Sequence, residues 1–276
     1  MADHLNLIFF PPSYSELFSA WNRYPKAVLY AGGTALIREQ GRQILELPAI
    51  ILSLEKLEDM SRISRSERYI EIGAMAKLSQ IIDLGKILPA TLRYCLENIA
   101  GPQLRNMATI GGNLCFQRGC LDSPAALMAP DAQFELRNAQ SSRWISASRF
   151  FSTRERAALN PHELLTRIRV PLDDWDYSIY TKFTRQTSYS KVAVFLAKTQ
   201  KNILSDIRII YKIDGLWRNK ESESILIGKH LPLNHRIAAD FVENWKSFLS
   251  CLQNVDELSR QELINFIEMN IFNLSE

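Results

Sequence analysis

The chain has 276 residues, 46% of them apolar, and a formal net charge of +3. That length allows a sizeable core and two domains, and the small charge, with Lys and Arg interspersed among Asp and Glu, argues against nucleic acid as a partner. No apolar run approaches the ~20 residues of a membrane-spanning helix. Met1-Ala2-Asp3-His4 opens no basic-then-apolar leader, so a cytoplasmic protein with no membrane partner is expected.

In chain order, Ser13-Tyr14-Ser15-Glu16 fits a capping box, with Ser13 as N-cap and Glu16 reaching back, ahead of an apolar helix face of Leu17, Phe18 and Trp21. Val28-Leu29-Tyr30 reads as a strand running into Ala31-Gly32-Gly33-Thr34, and Ala35-Leu36-Ile37-Arg38 as a helix start. Short strands are expected at 43–47 and 49–52, parted by Pro48, and at 69–72, ended by Gly73. Helices are expected at 76–84 and 90–99, the latter with Leu92, Leu96 and Ile99 on one side. A second small-residue turn follows, Ala108-Thr109-Ile110-Gly111-Gly112-Asn113-Leu114. Ser123 then reads as an N-cap with Pro124 at the first helical position, and Asp122 as an exposed dipole partner worth well under ~1 kcal/mol. Strands at 133–136, 143–145 and 166–170 close a mixed α/β region. Beyond Pro171, Leu172-Asp173-Asp174-Trp175-Asp176 reads as a linker. Strand-like runs follow at 178–183, 192–197, 207–213 and 224–227, then two helical patterns carried by Ile237, Phe241, Trp245 and Phe248 and by Leu263, Ile267 and Ile271.

The two Gly-Gly turns carry the chemistry. Glycine lets a ligand approach the backbone, exposed N–H groups make a concavity for an anion, and a helix start adds orphan donors. Two such turns suit the two ends of one pyrophosphate. A single Gly-Gly turn is most often only a turn. Neither turn is G-x-G-x-x-G and no G-x-x-x-x-G-K-[ST] occurs, so Rossmann and P-loop readings lack their signature. Cys95, Cys115, Cys120 and Cys251 form neither a disulfide framework nor a C-x-x-C pair, and His4, His162, His230 and His235 do not cluster with acids, so no metal is expected.

AGGT with Leu36, then IAGPQLRNMATIGGNLC from Ile99 to Cys115, then DSPAALMAPDA from Asp122 to Ala132 follow one another along the chain, continuing with Phe150-Phe151, ELLTRIRVP ending at Pro171 and YTKFTR from Tyr180. This series resembles the FAD-binding (medium) subunit of molybdenum hydroxylases of the xanthine dehydrogenase and carbon monoxide dehydrogenase type. The resemblance implies an α+β protein. A PCMH-type FAD-binding domain of two α/β subdomains would occupy 1–174. A small domain with an antiparallel sheet and helices, resembling the carbon monoxide dehydrogenase flavoprotein C-terminal domain, would occupy 175–276.

By the same resemblance, Ala31, Gly32, Gly33, Thr34, Ala35 and Leu36, with Thr109, Ile110, Gly111, Gly112 and Asn113, hold the FAD pyrophosphate. Asp122 matches an acidic residue beside the flavin, Leu165 or Thr166 the adenine or ring pocket, Lys182 a lysine near the isoalloxazine, and Ile99 a flavin-stacking position. The chain departs from the family pattern at Cys115-Phe116-Gln117-Arg118-Gly119-Cys120, which is bulkier than usual. It departs again after Phe183, where Thr184 to Ala193 lacks the usual acidic residue. The implied function is electron transfer through FAD, from iron–sulfur clusters on a partner subunit to NAD or another acceptor, with substrate oxidised on a molybdopterin-containing large subunit. No residue of this chain is then a nucleophile or general acid. Two alternatives compete: a stand-alone PCMH-fold flavin oxidoreductase, for which Tyr189 and Lys182 are the acid/base candidates, and a non-enzymatic paralogue whose 116–120 loop excludes FAD.

Overall fold

The computed structural model describes residues 6–40, 46–116, 122–151, 159–183, 190–213, 215–252 and 255–275. The chain divides into two compact units.

The first unit is drawn from residues 1–88, 96–117 and 131–172. Strands β1 (Leu7–Phe9), β2 (Val28–Tyr30) and β3 (Ile50–Ser53) form a parallel sheet in the order β1-β3-β2. Parallel neighbours need crossover connections, and here the helices Tyr14–Arg23 and Thr34–Gln40 supply them. Ser13 caps the first, accepting from the Glu16 N–H at 3.2 Å. Its hydroxyl donates to the Glu16 carboxylate, so Glu16 returns to the hydroxyl rather than to the Ser13 backbone. Of the expected strand at 43–47, residues 43–45 lie outside the described residues, and Glu46 and Leu47 form no strand.

The second sheet of this unit is antiparallel: β4 (Ile63–Arg65), β5 (Tyr69–Gly73), β6 (Gln133–Arg137), β7 (Ser142–Ser146) and β8 (Leu164–Pro171), in the order β4-β5-β8-β6-β7. Alternation along β8 sets its two faces. Ile168 and Val170 are fully buried with Phe134, Leu136, Ile70 and Ile72, whereas Arg167 and Arg169 point to a polar face.

The second unit is drawn from residues 89–95, 118–130 and 173–276. Its sheet is antiparallel, with β9 (Tyr177–Lys182), β10 (Val192–Gln200), β11 (Ile203–Lys212) and β12 (Leu216–Trp217) in the order β12-β11-β10-β9. The run Val192 to Ala197 is apolar without interruption because both of its faces are covered. Ala193, Phe195 and Ala197 pack with Phe241, Trp245, Leu263 and Ile267 of the helices His235–Ser250 and Glu257–Asn273. Val192, Val194 and Leu196 pack with Ile210 and with Ala125 and Ala129, at and just beyond the helix Ser123–Met128. Burying each large side chain contributes ~1.5–3 kcal/mol.

The expected strand at 224–227 is instead the end of a helix, Lys220–Leu226. Asn219 caps it, accepting from the Ser222 N–H at 3.0 Å, and Glu221 and Glu223 sit in its first turn. These start signals outweigh the short apolar stretch that follows them.

Candidate cofactor site

Strand β2 ends at Tyr30, whose carbonyl accepts from Leu54 N–H at 2.9 Å, and the chain turns through Ala31, Gly32 and Gly33. Gly33 has φ +69°, a conformation other residues adopt only with strain, and a side chain there would overlap the Tyr30 hydroxyl. The helix Thr34–Gln40 begins at once, with Ile37 N–H bonded to the Gly33 carbonyl at 3.2 Å. From Gly32 through Leu36 the backbone N–H groups find no acceptor among the described residues.

The second turn is built differently. Thr109 is the N-cap of the helix Ile110–Cys115, and its Oγ1 accepts from Gly112 N–H at 3.2 Å. Asn113 N–H is bonded to the Thr109 carbonyl at 2.9 Å, Ile110 N–H to Ala76 at 3.0 Å, and Gly111 N–H to Ala74 at 2.8 Å. Ile110 and Gly111 are buried, and Gly111 backs so closely onto Ala74 that a Cβ there would lie 2.7 Å from its side chain. Gly112 is exposed and Asn113 half-buried.

The two turns meet. A Cβ on Gly32 would overlap the Met107 carbonyl oxygen and stand 2.9 Å from its carbon and 3.2 Å from Ala108 Cα. The first turn thus offers N–H donors while the second walls it. A concavity of unclaimed backbone donors, entered without side-chain bulk, fits the pyrophosphate of a dinucleotide.

Ile99 is half-buried in the same unit. The segment that carries it is clamped by Arg105, whose Nη1 donates to the carbonyls of Glu97, Ile99 and Ala100 at 3.0, 3.1 and 2.7 Å. Sequence reasoning singled out no role for Arg105, although it lies inside the diagnostic block. Leu165 is buried in β8 opposite Leu136, and Thr166 beside it donates to the Glu135 carboxylate at 2.6 Å.

Asp122 and Lys182 belong to the second unit. Asp122, rather than Ser123, occupies the N-cap position, yet its side chain makes no capping bond and is not exposed. It is 2% exposed, accepts from Lys182 Nζ at 2.7 Å and from the Ser190 hydroxyl, and so is one half of a buried ion pair. The pair displaces the expectation of a weak, solvated dipole partner, because its partners arrive from β9 and from just before β10, far along the chain. Tyr180 and Cys95 lie in the same cluster. Burial, then the Asp122 charge, pushes the Cys95 thiol well above its usual range. Burial, then Cys95 and Asp122, raises the Tyr180 phenol in the same direction, so both stay protonated. The residues 117–120 of the unusual loop, and 184–189 with Tyr189, lie outside the described residues.

Quinoline 2-oxidoreductase from Pseudomonas putida 86 shares this fold, with a TM-score of 0.82 over 98% of this chain and 96% of that one, at 19% identity. At that identity the likeness is one of fold. Residues 4–173 match the family described as the FAD binding domain in molybdopterin dehydrogenase; the chain belongs to that family, and its cofactor is FAD. It is 32% identical over 207 residues to the glyceraldehyde dehydrogenase medium chain of Sulfolobus acidocaldarius, covering 73% of each. It is 25% identical over 210 residues to the nicotine 6-hydroxylase medium subunit of Paenarthrobacter nicotinovorans, covering 74% of this chain and 73% of that one. No helix among the described residues is long and apolar enough to cross a membrane.

Proposed function

We propose that this FAD-binding subunit receives electrons from iron–sulfur clusters on a partner chain and delivers them to NAD or another acceptor, while a molybdopterin-containing large subunit oxidises the substrate. The observation that carries the reading is the run of unclaimed N–H donors from Gly32 to Leu36, walled by Met107 and Ala108. The medium-chain and medium-subunit names of the relatives support the assembly. So does the spacing of the chain's own cysteines, since a cluster needs four ligands, normally thiolates, and Cys95 and Cys251 are isolated.

Bound flavin supplies the electron chemistry; the protein supplies orientation and electrostatics. In this reading Ala31 to Leu36 donate to the pyrophosphate and Thr109 to Asn113 form its wall. Arg105 fixes the segment that presents Ile99. Leu165 lies under the ring or adenine pocket. Asp122 accepts from the Lys182 ammonium and fixes its orientation. Residues 1–174 act as the cofactor domain and 175–276 as the smaller domain, in a cytoplasmic complex. No side chain is called on as nucleophile, acid or base.

Purification from the native source tests this. The expected result is a flavin absorption spectrum, with iron and molybdenum carried by two further chains in constant ratio to this one. A native protein that runs alone and turns over an organic substrate with FAD as its sole cofactor refutes it.

A further inference from the structure

The polar face of the antiparallel sheet in the first unit carries a second built feature, sharing no residue with the two Gly-Gly turns. Arg167 lies opposite Glu135 and clasps it with two bonds of 2.7 and 2.8 Å, while Thr166 adds a third at 2.6 Å. Arg169 lies opposite Glu71 and holds it at 2.6 Å. Both carboxylates are therefore already engaged.

Arg137 is left over. Its guanidinium stacks on the Tyr14 ring, 4.4 Å from the centroid, and its nearest carboxylate contact is Glu135 at 3.8 Å, beyond hydrogen-bond range. Its Nε–H is buried and has no acceptor among the described residues. A buried charged donor without an acceptor is costly, and such a group is normally satisfied by a ligand or a water. Arg137 and Tyr14 stand at the edge of a cleft of about 550 Å³.

The charges around that cleft select the ligand. Its lining holds the guanidiniums of Arg62, Arg137 and Arg167 and the carboxylates of Asp59, Glu71 and Glu135. Arg62 faces Asp59 at 3.4 Å, Arg167 neutralises Glu135, and Arg169, from outside the lining, neutralises Glu71. One positive charge remains, on Arg137. Its side chain keeps 32% exposure, so its planar guanidinium can offer N–H donors to two coplanar oxygens. Burial raises the Tyr14 pKa, so its hydroxyl remains a donor at the same wall.

We propose that this cleft binds a small monocarboxylate, seated on the Arg137 guanidinium edge. A dianionic phosphate exceeds the single surplus charge and meets Glu71 and Glu135. The cleft shares no residue with the two Gly-Gly turns, so the proposal stands or falls independently of the electron-transfer reading.

The test uses the purified, flavin-loaded protein at neutral pH, titrated with sodium benzoate and sodium acetate, and with chloride and phosphate at matched ionic strength. Melting temperature and saturation-transfer NMR of benzoate are the readouts. Benzoate should raise the melting temperature in a saturable way, with chloride and phosphate inert. Arg137→Gln should weaken benzoate binding about tenfold or more, as expected for loss of a charge-assisted pair, with flavin content unchanged. Asp59→Asn, at a side chain 70% exposed and therefore safe for folding, should strengthen it severalfold by removing a negative charge. No carboxylate response beyond that of chloride, a stronger response to phosphate, or an unchanged response in both variants overturns the proposal.

Discussion

Replacing Gly32 by alanine is the sharpest probe of the cofactor cradle. Gly32 does not occupy the left-handed region of backbone space, so alanine brings no conformational strain and its effect is steric. The added methyl would overlap the Met107 carbonyl oxygen and lie 2.9 Å from its carbon, well inside ordinary contact. The obstacle is backbone, which cannot rotate aside, so the cost should reach the upper end of overpacking, about 3 kcal/mol. If that cost falls on the arrangement that holds the pyrophosphate, FAD binds on the order of a hundredfold more weakly. Flavin fluorescence titration of stripped protein measures the affinity, and calorimetry of the same stripped protein measures its stability. Gly85→Ala is the control: φ is +59° there and nothing lies within 4 Å, so it should cost about 1 kcal/mol of stability and leave affinity unchanged. Wild-type affinity and wild-type melting in Gly32→Ala would refute the contact between the turns. Lost stability with intact affinity would make that contact architectural and remove the cofactor from it.

Asp122→Asn should destabilise the protein by about 3 kcal/mol, the low end for a broken buried pair because Lys182 keeps 19% exposure; denaturant titration measures it, and adding Lys182→Met should recover part of the loss. Glu163 accepts from Arg143 Nε and Nη2 at 2.7 and 2.8 Å, and this lowers its pKa below 4.5. Its stabilisation is therefore full above the ordinary carboxylate range and lost as pH falls through the folded value, so urea unfolding from pH 7 down to 3 should be less pH-sensitive in Glu163→Gln. Iodoacetamide should label the exposed Cys251 in the native protein and the fully buried Cys95 only after unfolding, as site-resolved mass spectrometry would read.

What was legible in the sequence was local. Val28-Leu29-Tyr30 followed by Ala31, two glycines and a threonine already contains a strand, a turn and a helix start, and all three form. Thr166 to Val170 alternates as a strand must, and its two arginines fall on one face. The difference between the two Gly-Gly turns was not legible, because Ala74 and Ala76, which absorb the N–H groups of Gly111 and Ile110, lie some thirty-five residues upstream. Nor was the burial of Asp122, whose partners are 60 and 68 residues downstream. At 224–227 the local signals conflicted. The Asn219 cap and the acidic first turn specify a helix, and Glu223 secures it by accepting from Ile209 N–H at 2.8 Å and pairing with Arg218.

The helix Ser123–Met128 lends residues from mid-chain to a sheet whose strands follow the 173–176 stretch. A domain exchange cut near residue 172 is therefore not a clean one. Such a graft strands Ala125 and Ala129 on one parent and bares Val192, Val194, Leu196 and Ile210 on the other, so the helix must travel with the sheet it covers. The same arrangement sets an order for synthesis. At ~5–20 residues per second, this helix leaves the ribosome seconds before β10 and β11 exist to receive it, and its apolar side chains stay exposed through that interval.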